Sequence, residues 1–384
     1  MNNLTFSRRL VSQDDAAIIA RPDVPRSKFV NQWTRKTAFD AGYLIPFLVD
    51  EVLPGDHIKY DVQAYVRLST PLFPILDNLR IDTFFFYVPN RILWTNWVRM
   101  MGEQDNPADS IAYSVPQLGW TVSPPAVGSI ADHMGLPIRA NGINGILANA
   151  LPFRAYNMIF NQWFRDQNAM ASVWFDPTSN TDNLNNYALR RRAKAHDYFT
   201  SALPWPQKFS PLTMPVGVSA PISGLGHVGT SYSVAPQNNV QQTPPLVTED
   251  YPFAVLSTDA EIMAMRVNNL GRPDVYADLT QATGVSINVL RQAFLVQQLL
   301  ERDARGGTRY TELLEAHFGI DNPDGRLQRP EYIGGGSTPM NIQPIAQTAP
   351  TEGQTVGALG AAGAATGGHT ASVAATEHGV IIGL

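Results

Sequence analysis

The run Arg190-Arg-Arg-Ala-Lys194 is the densest set of side chains in this sequence with an evident chemistry. Three guanidiniums and an ammonium within five residues can bind phosphate oxygens, and arginine also stacks on bases. Tyr187, Tyr198, Phe199 and Trp205 follow or precede it closely, and aromatic rings of this kind stack on unpaired bases. Arg190, Arg191, Arg192 and Lys194 are therefore candidate nucleic-acid contacts, joined by Arg8 and Arg9 near the start. The competing reading is a solvated face whose acidic partners lie elsewhere in the chain.

Patterns that support catalysis are incomplete. Ala304-Arg-Gly-Gly-Thr308 lacks the lysine and spacing of a phosphate loop, and Gly334-Gly-Gly336 reads as a turn. The seven histidines form no His-x-x-x-His pair with an intervening glutamate. His196 and Asp197 are adjacent, and adjacent side chains rarely aim at one target; no nucleophile stands with them. Glu301 and Asp303 have the types of an acid and a base, but Arg302 and Arg305 interleave with them and favour structural ion pairs. With no cysteine there is no disulfide, thiolate or cysteine-based zinc site. No cofactor, metal site or enzymatic activity is expected, although a hydrolase with a loop-built site stays among the competing readings.

The elements around these residues are rich in turns and rings. Only 16% of the 384 residues are charged, against roughly 25% in an ordinary soluble domain, while glycine and proline each number 29. That balance suggests long ordered loops and surface buried against neighbours. The net charge of −5 argues against a protein that coats nucleic acid over its whole surface. Residues 1–36 nevertheless carry seven Lys/Arg against three Asp, a local +4, and form a partly basic arm that extends to residue 41. No signal-peptide core and no apolar run long enough to span a bilayer occurs, so folding in a cytoplasm and no membrane insertion are expected.

From residue 42 onward one domain is expected. His57–Ser69 alternates apolar and polar, the pattern of a strand with one buried face. Leu79–Val88, with Phe84-Phe85-Phe86-Tyr87, predicts a strand covered on both faces. Arg91–Met101 reads as a short helix, and Phe153–Asp166 as a longer one with an aromatic stripe, Asn149 as its cap and Pro152 in its first turn. Residues 211–249, poor in charge, read as a surface excursion, and Tyr251–Gly271, which alternates at 263–268, as holding a short strand or helix. Asn288–Phe318 predicts a largely buried helix, a glycine turn and a second helix capped by Thr308. Thr338–Ala346 suggests a strand, and Thr355–Ala375 a flexible Gly/Ala-rich stretch. Gly379–Leu384 reads as a strand just beginning, with apolar residues in need of a partner.

Four passages carry a family resemblance: Arg26–Arg35 (RSKFVNQWTR), Pro152–Asp166 (PFRAYNMIFNQWFRD), Asp197–Pro206 (DYFTSALPWP) and Asn288–Phe318. With them the chain resembles, over nearly its whole length, the major capsid proteins of microviruses, small icosahedral single-stranded DNA bacteriophages, in their gokushovirus branch. The resemblance implies a mainly β fold, an eight-stranded antiparallel viral jelly roll with long loop and helical insertions. It further implies a structural protein of the virion, assembled in the host bacterial cytoplasm as a homo-oligomer of sixty copies, a T=1 shell around circular single-stranded DNA. Other virion or scaffolding proteins and a bacterial host receptor are expected partners, the excursion at 211–249 being a candidate for host contact. Members of that family continue beyond the present last residue, so the chain is expected to be C-terminally incomplete. By residue type, Phe29, Trp33, Trp94, Trp97, Arg302 and Arg305 are candidate contacts between subunits. The competing identity is a non-viral β-sandwich module for adhesion or carbohydrate binding.

Overall fold

In the computed structural model, residues 27–69, 75, 78–119, 125–138, 147–194, 196–203, 205–213, 222–223, 225–228, 234–235, 262–265, 276–277, 286–350 and 355–384 are described. Two units emerge, 1–39 and 40–384. Of the first, residues 27–39 contain no helix or strand, and Phe29, Val30, Trp33 and Phe39 are exposed.

The second unit is mainly β. After β1 (Leu48–Val52), strands β2 (His57–Arg67) and β3 (Arg80–Pro89) appear where alternation and ring density point to them. Helices α1 (Asn90–Leu93) and α2 (Trp97–Met100) follow, then β4 (Gln117–Gly119), α3 (Ile130–His133), β5 (Leu147–Asn149), α4 (Leu151–Ile159) and β6 (Thr181–Asn183). Five short strands come next: β7 (Ile222–Ser223), β8 (Leu225–Val228), β9 (Val234–Ala235), β10 (Ile262–Met265) and β11 (Tyr276–Ala277). The chain continues with α5 (Ile287–Gly306), α6 (Tyr310–Phe318), β12 (Glu331–Pro339), β13 (Asn341–Ala346), β14 (Leu359–Ala374) and β15 (Gly379–Gly383).

Seven strands form the principal antiparallel sheet, ordered β1-β15-β3-β12-β14, with β13 continuing β12 along one edge of β14 and β2 paired along its other edge. It curls as jelly-roll sheets do. Side chains of β3 alternate between two cores. Phe86 and Val88 pack with Val380, Ile382 and the buried residues of α4, whereas Phe85 and Tyr87 pack with Leu48, Val52, Ile381 and the apolar face of β2. Both faces of β3 are thus covered, and each fully buried ring contributes up to ~3 kcal/mol by leaving water.

Several expectations change here. Gly379–Gly383 does not await a partner: β15 lies between β1 and β3, buried along its whole length. The Gly/Ala-rich stretch is strand β14, sixteen residues long. Its small residues admit close neighbours. A Cβ at Gly363 would lie 3.1 Å from Met340 Sδ, and one at Gly367 would overlap Thr338. The triple glycine is inside β12, where φ of +152° at Gly334 and +151° at Gly335 accompanies a register shift against β3. There Gly334 is aligned with Phe85 on one side and Ala371 on the other.

The expected helix at 91–101 is divided into α1 and α2 by Trp94, whose backbone is extended. The 153–166 helix begins at Leu151, and its last turn, Phe160–Phe164, widens to π geometry. Asn149 accepts a hydrogen bond from the Leu151 backbone N–H at 2.9 Å, so it stabilises that end. At α6 the cap is not Thr308. Glu312 reaches back to the backbone N–H groups of Thr308 and Arg309, while Gly319 ends the helix in the left-handed region.

Candidate functional site

The basic cluster lies in an extended segment beside residues 42–44, held by backbone pairing. Leu44 N–H donates to the Arg190 carbonyl at 2.9 Å, Arg192 N–H donates to the Gly42 carbonyl at 2.8 Å, and Tyr43 bridges Arg191. Beneath it the Tyr156 hydroxyl accepts from Arg190 N–H and donates to the Leu44 carbonyl, both at 2.9 Å. Burial pushes the Tyr156 phenol up, more than the nearby Arg190 offsets, so the hydroxyl stays a donor.

The cationic groups go different ways. The Arg191 guanidinium lies 4.7 Å from the centre of the Tyr43 ring and donates to its hydroxyl at 3.1 Å. Arg192 pairs with Asp82 and lies over Phe84 at 4.8 Å. Partial burial by itself would raise the Asp82 carboxyl, but a hydrogen bond from Ser337 and the charges of Arg192 and Arg80 outweigh it and hold Asp82 below the usual carboxylate range. Lys194 extends outward, its side chain 72% exposed and 2.8 Å from Asp197. That carboxylate, lowered by the bonds from Lys194 and Thr200, organises the turn carrying Tyr198 and Phe199, both almost fully exposed and edge-to-face at 5.4 Å.

Of the rings considered as base-stacking groups, Tyr187 is removed: it is buried and its hydroxyl donates to Asp182 at 2.6 Å. Trp205 is half-buried. Arg8 and Arg9 lie outside the described residues. Sequence reasoning missed a cavity of about 420 Å³ lined by Phe84, Phe86, Trp163, Phe164 and Tyr332, with Arg192 at its edge. Its rings come from three distant parts of the chain, so no local spacing could reveal it.

The candidate subunit contacts also separate. Trp94 is corrected: it is wholly enclosed by this chain, and its indole N–H donates to Asn180 at 3.1 Å, so it offers no surface to a neighbour. Trp97 is half-buried with its ring 5.6 Å from that of His378. Phe29 and Trp33 are 87% and 48% exposed. Arg302 is exposed, and Arg305 is exposed beside Glu301 at 3.5 Å. Asp303 instead pairs with His317 and fastens α5 to α6. The expectation that α5 is covered on more than one face is overturned for the described residues: Ala304 alone is buried, and Phe294 and Leu295 are 60% and 66% exposed.

Among the described residues no group of three or more His, Asp or Glu side chains could hold a metal ion, and no helix is long and apolar enough to cross a membrane.

A family model described as "Capsid protein (F protein)" matches residues 17–384. The chain belongs to that capsid protein family. Within it, the chain is 41% identical to the capsid protein VP1 of Bdellovibrio phage phiMH2K over 346 residues, covering 88% of this chain and 63% of the relative. The capsid protein VP1 of Chlamydia phage 1 is 34% identical over 94% of this chain and 70% of its own length, and that of Spiroplasma virus 4 is 35% identical over 85% and 62%. This capsid-family chain thus spans about two thirds of the length of the curated relatives it matches.

Proposed function

We propose that the chain is the main part of a structural capsid subunit that closes with identical copies into a shell around single-stranded DNA. The observation that carries this reading is the family match across residues 17–384. Exposed apolar residues on the arm and on α5 agree with it, since a lone soluble protein rarely leaves so many uncovered. The finer form is a T=1 lattice of sixty copies, enclosing a circular genome, assembled in the host bacterial cytoplasm and finally located in the virion. Closed symmetry lets moderate contacts sum to a stable container without open-ended growth. The role is assembly, and no residue is assigned to catalysis. Scaffolding or other virion proteins and a host receptor complete the proposed partners.

On the DNA-facing side, Lys194 and Arg191 are the proposed phosphate contacts from the cluster, with Tyr198 and Phe199 as stacking platforms. Arg192 is engaged with Asp82, so its loss should act through stability as well.

The test is the mass of the full-length gene product in solution, read by light scattering and electron microscopy, together with the nucleic acid that copurifies. Closed particles holding single-stranded DNA are expected. A stable monomer across salt conditions would overturn the reading in favour of a solitary β-sandwich binder. Arg191→Gln with Lys194→Gln should lower DNA per particle while leaving the melting transition in place; unchanged packaging removes those two contacts.

A further inference from the structure

The outer side of α5 carries more apolar surface than its sequence position explains. Ile287, Val289, Phe294, Leu295, Val296 and Leu299 are each at least 41% exposed. The helix is not a loosely attached element. Ser286 caps its start by accepting from Val289 N–H, Asp303 joins it to His317 of α6, and Gly306 approaches Ala316 so closely that a Cβ there would lie 2.5 Å from the alanine's.

A second feature stands beside it. The loop at 207–210 is fastened to α5: Gln207, itself buried, accepts from Gln297, the Lys208 backbone N–H donates to the Leu300 carbonyl at 3.2 Å, and Lys208 Nζ donates to the Gly307 carbonyl at 3.4 Å. On this anchored loop Phe209 adopts a φ of +64°, a conformation that costs a bulky residue of order 1 kcal/mol or more. Little of the residue is covered in return, since it is 80% exposed. A strained aromatic fixed in place and aimed outward, next to a rigid apolar helix, is the arrangement of a preformed contact surface.

We infer that the outer face of α5, with Phe209 at its flank, is a contact between subunits, occupied by a second copy of this chain. This deepens the capsid reading and rests on it. The seven side chains present on the order of 600 Å², close to the roughly 800 Å² per partner of a stable protein interface. Arg291, Arg302 and Arg305 are also exposed along α5, interleaved with the apolar side chains, and arginine is enriched in protein interfaces.

These 384 residues contain no cysteine, so a single thiol can be introduced on α5 once any cysteine elsewhere in the full-length protein has been changed to serine. In the full-length protein carrying Leu295→Cys, maleimide modification is timed on dissociated subunits and on assembled particles. Rapid reaction in subunits and a slowing of about tenfold or more in particles is expected, because interface cores exclude solvent. Equal rates in both states overturn the inference. Slow reaction already in dissociated subunits overturns it too, since the chain's own residues would then cover the face. A second variant, Leu295→Glu with Leu299→Glu, should keep the far-ultraviolet circular dichroism and the cooperative melt but lose at least about nine tenths of particle yield. Particles at the unaltered yield overturn the inference alone. Failure of the unsubstituted protein to form particles is seen before any variant is made, and overturns the capsid reading itself.

Discussion

Arg154 and Asp182 meet with neither side chain reaching solvent. Arg154 Nε and one terminal nitrogen donate to the two carboxylate oxygens at 2.7 and 2.6 Å, and further N–H groups reach the carbonyls of Leu93 and Ser179. Tyr187 completes the carboxylate's partners. One ion pair thereby joins α4, the end of α1 and the 179–187 segment. Burial by itself would lower the guanidinium, but Asp182 more than compensates and Arg154 is held above its ordinary range. Removing one partner leaves the other charge buried, which costs about 3–5 kcal/mol. Asp182→Ala should therefore lower unfolding free energy by about that amount, measured by urea denaturation; a loss under about 1 kcal/mol would mean that water replaces the carboxylate. Sequence reasoning passed over both residues, because their separation in the chain hides the bidentate geometry. The same limit applies to Trp94, whose type suggests a surface anchor and whose position makes it a core residue.

Elements show where a local pattern suffices. The alternation of β2 and the double-sided apolar run of β3 were legible, since a strand's two faces are written at alternate residues. The glycine segments were not. Composition equates Gly-Gly-Gly and a Gly/Ala-rich run with turns and linkers, yet in β12 and β14 the missing side chains make room for Thr83, Thr338 and His369. A Cβ at Gly336 would collide with the His369 ring, whose nitrogens lie 2.6 and 2.9 Å from the hydroxyls of Thr83 and Thr338. Gly335→Ala combines a positive φ with overlap onto the Thr83 carbonyl. It should destabilise the sheet by about 2–4 kcal/mol, seen as a lower melting temperature, whereas Gly325→Ala, with open space around it, should change little. Equal melting temperatures would show that β12 can shift to admit the methyl. For α5 the sequence pattern and the isolated chain disagree: apolar residues on several faces demand cover that the described residues do not supply.

At the scale of the molecule, the excursion placed at 211–249 is tied to residues beyond that border. β8 pairs with β9 and with β10, and β7 pairs with β11, so strands from 222–235 and 262–277 combine in two small sheets. A deletion over the whole of 211–249 would remove β7, β8 and β9 and leave β10 and β11 without those partners. Shortening only 236–249 keeps every one of these pairs. Such a shortened full-length protein should assemble at the unaltered yield and attach less to host cells, read by particle counts and adsorption. Loss of particles would identify the segment as scaffold. Residues 1–39 form a unit of their own, whose described part displays Phe29 and Trp33.

What the sequence determined by itself was the set of strands with clear alternation, an aromatic helix near 153–166, the low charge and the family to which its motifs point. Those properties are written locally or in composition. The tertiary structure decided the rest: β15 enclosed in the middle of the sheet, Trp94 and Tyr187 inside, Arg192 committed to Asp82, and α5 outside. Pairing across long stretches of chain sets burial, and burial rather than residue type determines whether a ring or a charge serves the fold or a neighbour.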